Sequence, residues 1–383
     1  MNASPNPEAN ARVKRALDAA IKDRGEMGLQ VCAYHHGALA IDTWAGVADT
    51  ATGRRVDGDT LFNVFSVTKG IALTAVHILA ERGAFDYDTR VGDVWPEYAS
   101  HGKEKTTIRH ILTHKAGIPQ MPEGITPERM CDWAYMIGFL EGLEPMFEPG
   151  TQNAYHQLTY GWLLSELVRR GDPKHRMIDQ FVYEEIGKPL KAPDLWIGLP
   201  DSQTPRVAKL WMGEEFDWPA GSLFRVSLPL SVNLVPAIYE RPDVRRAPLA
   251  GAGGIFTARS EARVWAMLAN GGELDGVRLL SKERVASFST PRDNPDQPDP
   301  VFLGGSVPVG NAGYWLGSPN FPVASAQSPR ALCHPGMGGS IGWADPDQNL
   351  GVAITHNRMY NARDIADDPL LPIANAVREA LGL

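Results

Sequence analysis

Ser66 and Lys69 stand three residues apart in the stretch Asn63-Val64-Phe65-Ser66-Val67-Thr68-Lys69-Gly70. A hydroxyl becomes a useful nucleophile when a neighbouring base takes its proton. On a helix, positions i and i+3 share a face, so the amine and the hydroxyl would meet. Burial strips an ammonium of hydration, lowers its pKa and turns the amine into such a base. The run Ile71 to Ala80 is apolar nearly all round, which predicts a buried helix, and Glu81-Arg82-Gly83 supplies its stop. The positive end of that helix would favour an oxyanion near Ser66. The bland alternative is a serine spent as a helix cap and a lysine left at the surface.

Other stretches carry similar patterns. Ser100-His101-Gly102-Lys103 has the same spacing but reads as a polar loop with no helix behind it. His110 and His114, at i and i+4, would suit a metal, yet the glutamate of a metalloprotease-type helix is missing. Buried, hydrogen-bonded histidines are the expectation there. Gly338-Gly339-Ser340-Ile341-Gly342 matches a Gly-x-Ser-x-Gly elbow, which needs a strand before it and a helix after it. Here Trp343-Ala344-Asp345-Pro346-Asp347 leads into a hairpin instead. Gly251-Ala252-Gly253-Gly254 reads as a packing turn before a helix, not a phosphate loop. No motif calls for a metal or a cofactor.

The elements that must position Ser66 and Lys69 can be read from periodicity. A helix over 8–22 is followed by strands at 29–34 and 38–44, joined at His35-His36-Gly37. From about 86 to 190 the period is helical, with helices at 106–114, 127–142, 158–170 and 176–187. Segment 200–248 is proline-rich and yields no order, and 291–300 reads as a polar loop. A helix over 260–270, capped by Ser260, precedes strands at 314–316, 330–334, 340–344 and 350–355, and a last helix covers 369–381. The fold class is α/β (α+β): an antiparallel sheet flanked by helices, with an inserted helical domain. Residues 1–85 and 248–383 would form the sandwich, and 86–247 the helical part. The cleft between them is the default site.

Composition narrows the function classes. The 383 residues are 43% hydrophobic and 21% charged, an ordinary globular balance. A net charge of −8 argues against a nucleic-acid partner and against an anionic membrane surface. Cys32, Cys131 and Cys333 are odd in number and widely spaced, which fits reduced structural thiols in a cytoplasmic protein. Residues 1–24 are polar and charged, without the apolar core of a signal peptide, and no apolar run is long enough to span a membrane. A cytoplasmic location is the expectation.

Taken together, Ser66-x-x-Lys69, Pro149-Gly150-Thr151 with Tyr155 four residues on, Thr107 to His114, and His334-Pro335-Gly336-Met337-Gly338-Gly339-Ser340 resemble the serine β-lactamase and penicillin-binding protein superfamily. More narrowly, the chain looks like class C β-lactamases and the family VIII carboxylesterases. The resemblance spans most of the chain. It implies that Ser66 forms an acyl-enzyme, and that Lys69 and Tyr155 share the general base and acid work, Tyr155 as phenolate or through a proton relay. It further implies an oxyanion hole from the backbone N–H groups of Ser66 and Met337. Gln157, His334 and Gly336 would meet the substrate.

Two departures from the family pattern bear on substrate. The tyrosine motif, usually followed by serine or alanine and then asparagine, reads Tyr155-His156-Gln157, where Gln157 would donate its amide from a longer arm. The third motif, commonly Lys-Thr-Gly, reads His334-Pro335-Gly336, and a histidine is mostly neutral at pH 7. Both favour an uncharged, short-chain carboxylic ester over an antibiotic carboxylate. A β-lactamase or D-Ala-D-Ala peptidase, or an acyltransferase, is the alternative within the same chemistry. Trp211, Trp218 and Phe224 would line the pocket or belong to the core.

Overall fold

Asn6 opens the first helix by accepting the N–H groups of Glu8 and Ala9, and Gly25 closes it in a left-handed conformation at φ 74°. This structure, a computed structural model, describes residues 5–213, 218–319, 322–325, 328–360 and 367–383. In chain order its main elements begin with α1 (Pro7–Arg24), β1 (Gly28–His35), β2 (Ala38–Asp49), β3 (Arg54–Arg55), β4 (Phe62–Phe65) and α2 (Val67–Glu81). The middle of the chain forms α3 (Ile108–Leu112), α4 (Pro127–Cys131), α5 (Trp133–Gly142), α6 (Thr159–Gly171), α7 (Ile178–Val182) and β5 (Leu195–Ile197). The last third supplies β6 (Gly254–Phe256), α8 (Ala258–Ala269), β7 (Trp315–Leu316), β8 (Leu332–Pro335), β9 (Ile341–Asp345), β10 (Leu350–His356) and α9 (Leu371–Ala380).

Both chain ends build one seven-stranded antiparallel sheet in the order β7-β8-β9-β10-β1-β2-β3. Leu29 faces His356 and Val31 faces Ile354, so the N-terminal hairpin is locked to the C-terminal one. Val13 and Leu17 of α1 pack with Ile373 and Val377 of α9 in one apolar cluster on this sheet. The opposite face takes α8. There a Cβ on Gly342 would stand 1.7 Å from Trp265 Nε1, so only glycine lets the helix lie this close.

Beyond α8 lies α2, whose residues from Val67 to Ala80 are all buried. A helical glycine such as Gly70 costs about 1 kcal/mol relative to alanine. Ile71, Leu73, Val76, Ile78 and Leu79 are buried in the main core; each such burial contributes about 1.5–3 kcal/mol. Tertiary burial therefore decides that this segment is helical. The helix α6 packs alongside it, with α3, α4 and α5 further out.

Three local expectations are corrected. The glycine-rich bend at 251–257 contains β6, the centre of a small sheet ordered β4-β6-β5. Pairing partners drawn from three distant segments left no short-range signal. The cap of α8 is Thr257, whose Oγ1 accepts the Ser260 N–H, while Ser260 Oγ accepts the Asp194 N–H. The third is the stretch ahead of the helix expected at 106–114, where no element was placed and a helical turn forms at Val91–Val94. Segment 200–248 holds short helices at Leu223–Ser227, Pro236–Tyr239 and Pro242–Arg246, with 214–217 outside the described residues.

Candidate active site

The turn from β4 into α2 is sharp because Phe65 adopts φ 47°, a conformation that costs a side-chain-bearing residue about 1–3 kcal/mol. Ser66 stands at that corner as the N-cap residue, yet its side chain makes no capping hydrogen bond. Thr68 ties the corner down instead: its hydroxyl donates to Phe65 O and accepts the Gly254 N–H at 2.8 Å. The serine oxygen is thereby left for chemistry.

Lys69 is fully buried, with Nζ 2.9 Å from Ser66 Oγ, 2.8 Å from Gln157 O and 2.6 Å from Gly251 O. Carbonyls can only accept, so both need an N–H from the amine. A neutral amine meets that demand with its two hydrogens and turns its lone pair toward Ser66 Oγ. Burial holds the Lys69 pKa well below the ordinary lysine value, which favours that neutral form.

Tyr155 lines the same cavity as Ser66, and the Lys69 amine lies 5.2 Å from its ring centroid. Desolvation by burial raises the phenol pKa. That direction favours the protonated phenol over the phenolate. Rings of His114 at 4.4 Å and Phe302 at 5.1 Å fix the Tyr155 ring, and Asp299 Oδ2 accepts its backbone N–H at 2.8 Å.

A cavity of about 300 Å³ opens over Ser66 and Tyr155, bounded by Gln157, Trp218, Phe224, Phe302, Trp315, the turn Pro335 to Gly339, Tyr360 and Asp368. Gly336 belongs to its wall; its N–H donates to Ser340 O at 2.7 Å, and a Cβ there would meet Val64 O at 2.2 Å. Ser66 and Met337 also line it, and neither backbone N–H has a backbone partner among the described turns and loops.

Two expected substrate contacts are placed differently. His334 is fully buried behind the wall; its Nδ1 is 2.9 Å from Pro335 O and its ring packs on Trp315 at 5.5 Å. Burial is the main cause that pulls its pKa down to about 3, which favours the neutral imidazole. Gln157 does line the cavity, but its amide nitrogen donates to Phe224 O at 3.2 Å and Ser227 Oγ at 2.9 Å. The carbonyl at Phe224 requires a donor, which fixes the amide orientation and leaves Oε1 as its remaining polar atom. The glutamine therefore offers an acceptor where a donor was expected.

The competing patterns separate on geometry. Ser100 to Lys103 lies in a turn, as expected, but Lys103 is buried and its amine is held by Glu141 O at 3.0 Å and by Leu143 O. Burial pulls that amine down to about 8, but Ser100 Oγ turns to Glu141 O at 3.0 Å and does not meet it. Ser340 Oγ accepts the His356 N–H at 3.2 Å and is buried. His110 Nδ1 accepts the Thr107 N–H and His114 Nδ1 the His156 N–H, so the two imidazoles serve different partners. Trp218 and Phe224 line the cavity, stacked at 3.8 Å, whereas Trp211 is exposed and lies elsewhere.

Sequence reasoning missed Asp299, Phe302, Trp315, Tyr360 and Asp368, which share no local pattern. The one available signal was the Gly251–Gly254 bend. Its backbone supplies both the Gly251 carbonyl to Lys69 and the Gly254 N–H to Thr68.

The family model described as Beta-lactamase matches residues 13–376. The chain is similar to Esterase/beta-lactamase LipL of Mycobacterium tuberculosis, at 31% identity over 97% of this chain and 86% of that protein. Among solved structures it is similar to a family VIII carboxylesterase, with TM-score 0.86 and 31% identity over 98% of this chain and 99% of that one. A penicillin-binding protein homolog from Caulobacter crescentus gives TM-score 0.85 and 31% identity, over 98% of this chain and 99% of that one. The chain belongs to the Beta-lactamase family and carries its antiparallel-sheet fold.

Proposed function

We propose that this hydrolase is a serine carboxylesterase that cleaves short-chain esters through an acyl-Ser66 intermediate. The observation that carries the reading is the buried Lys69 amine, 2.9 Å from a serine oxygen that no cap consumes. Lys69 takes the Ser66 proton as the oxygen attacks the ester carbonyl. The Ser66 and Met337 N–H groups receive the oxyanion, aided by the N-terminal dipole of α2. Tyr155, beside Ser66 in the cavity wall, hands a proton to the departing alkoxide and regains the one that Lys69 took from Ser66. Water then attacks the acyl-enzyme, with the same groups acting in reverse order.

The mainly apolar cavity of about 300 Å³ suits a small neutral ester. No lysine or arginine lines it among the described residues, which counts against substrates that must present a carboxylate. The reacting cleft lies between the sandwich of 1–85 with 248–383 and the mainly helical 86–247. Unpaired Cys32, Cys131 and Cys333 support a reducing, cytoplasmic setting.

The test is turnover of p-nitrophenyl butyrate and labelling by a fluorophosphonate. Ser66→Ala should abolish both; retained turnover in that variant would refute the assignment.

A further inference from the structure

The cavity wall combines two features that the proposed reaction does not require. The first is a connected series of aromatic rings. Trp218 stacks on Phe224 at 3.8 Å, Phe224 meets Phe302 at 6.4 Å, and Phe302 meets Trp315 at 6.4 Å. Tyr155 joins the series at 5.1 Å from Phe302 and 5.9 Å from Trp315. Tyr360 adds a further ring to the lining. The second is Asp368, the one carboxylate among the described lining residues. Its Oδ1 accepts from the Tyr360 hydroxyl at 2.7 Å and from the Leu370 N–H at 2.8 Å. No ion pair neutralises it among the described residues. Arg358, at 5.9 Å from the Tyr360 ring, gives its guanidinium to Arg24 O at 2.6 Å and stands 3.7 Å from Glu26.

A ring face carries negative quadrupole potential, and a carboxylate adds a full negative charge. A neutral aliphatic ester needs neither. An anion would be repelled by both. A cation without strong hydration, such as a quaternary ammonium, gains from both and gives up little water.

Resting on the esterase reading above, we infer that this cavity selects esters bearing an ammonium group, held by the aromatic series and by Asp368. Choline-type esters are the simplest members of the class; hydrolysis adds one water and releases the free acid and the amino alcohol. The charged arm is read by Asp368 and the rings, and the ester carbonyl by Ser66.

The probe pair is choline and its uncharged carbon isostere, 3,3-dimethylbutan-1-ol, titrated against the full chain by calorimetry and by the fluorescence of the cavity tryptophans. Choline should bind about tenfold more tightly. The kcat/KM ratio of butyrylcholine to 3,3-dimethylbutyl butyrate should show the same preference. Asp368→Asn should lower both ratios several-fold, and Asp368→Glu should restore most of the loss. Equal or tighter binding of the isostere overturns the inference, even while p-nitrophenyl butyrate is turned over and the esterase reading stands. Tighter choline binding without turnover of any ester would instead sink the esterase reading and leave the cation site supported.

Discussion

Lys69→Met is the most informative single change, because methionine keeps the length and apolar stem of lysine but has no proton to give or take. In the structure the amine does two jobs. It faces Ser66 Oγ at 2.9 Å, and it satisfies the carbonyls of Gln157 and Gly251. Loss of a positioned general base costs about 10²–10⁴-fold in rate, or about 2.7–5.4 kcal/mol of transition-state stabilisation. Leaving two buried carbonyls unpaired costs about 1–3 kcal/mol each. Removing a desolvated amine offsets part of that, so the variant should fold with a lowered Tm. Stopped-flow kinetics with p-nitrophenyl butyrate should show the loss in the acylation burst, and thermal melts would confirm the fold. Lys69→Arg should be as inactive, since a guanidinium stays protonated at working pH.

The pH profile tests the same reasoning. Burial lowers the Lys69 pKa, so the neutral base should populate as pH rises through a value well below that of free lysine. The acid limb of kcat/KM should follow that rise and vanish in Lys69→Met. The sign of the stability term agrees: a folded pKa below the unfolded one makes this group's contribution rise with pH across the window between them. Lys69→Met activity within tenfold of wild type would refute the base assignment.

Tyr155→Phe keeps the ring contacts to His114 and Phe302 but removes the hydroxyl; kcat should fall about 10²–10⁴-fold with little change in Tm, read from steady-state kinetics and melts. Glu261 is buried on α8, where the Trp265 indole N–H is its carboxylate's one partner among the described residues, and burial lifts its carboxyl to about 8. Its folded pKa lies above the unfolded one, so wild-type stability should fall relative to Glu261→Gln by about 1.4 kcal/mol per pH unit between roughly 4.5 and 8; urea titrations across that range would show no divergence if the reasoning is wrong. Phe302 lines both the catalytic cavity and a neighbouring one of about 520 Å³. Phe302→Ala should join the two and shift the p-nitrophenyl ester optimum to longer acyl chains; an unchanged optimum would show that the wall is formed elsewhere.

Local sequence determined the parts that depend on local interactions. The i, i+3 spacing of Ser66 and Lys69 and the apolar run behind them specify a buried helix with both groups on one face. Alternating strands at both ends, each bounded by turn residues, specify the hairpins of the antiparallel sheet. Ser100 and Lys103 mark the limit of that reading. They have the same spacing and a buried amine, yet the lysine binds the carbonyls of 141 and 143 while the serine donates to the carbonyl of 141 and makes no bond to the amine.

Only the tertiary structure decided which lysine meets its serine, because its other partners, Gln157 O and Gly251 O, come from 88 and 182 residues away. Tertiary contacts also turned Gln157 toward 224–227, buried His334 behind the wall and gathered the aromatic lining from separate segments. Spacing fixes what neighbours along a helix can touch. Desolvation and hydrogen-bond supply are set by whatever packs on top, and here that cover is drawn from the whole chain.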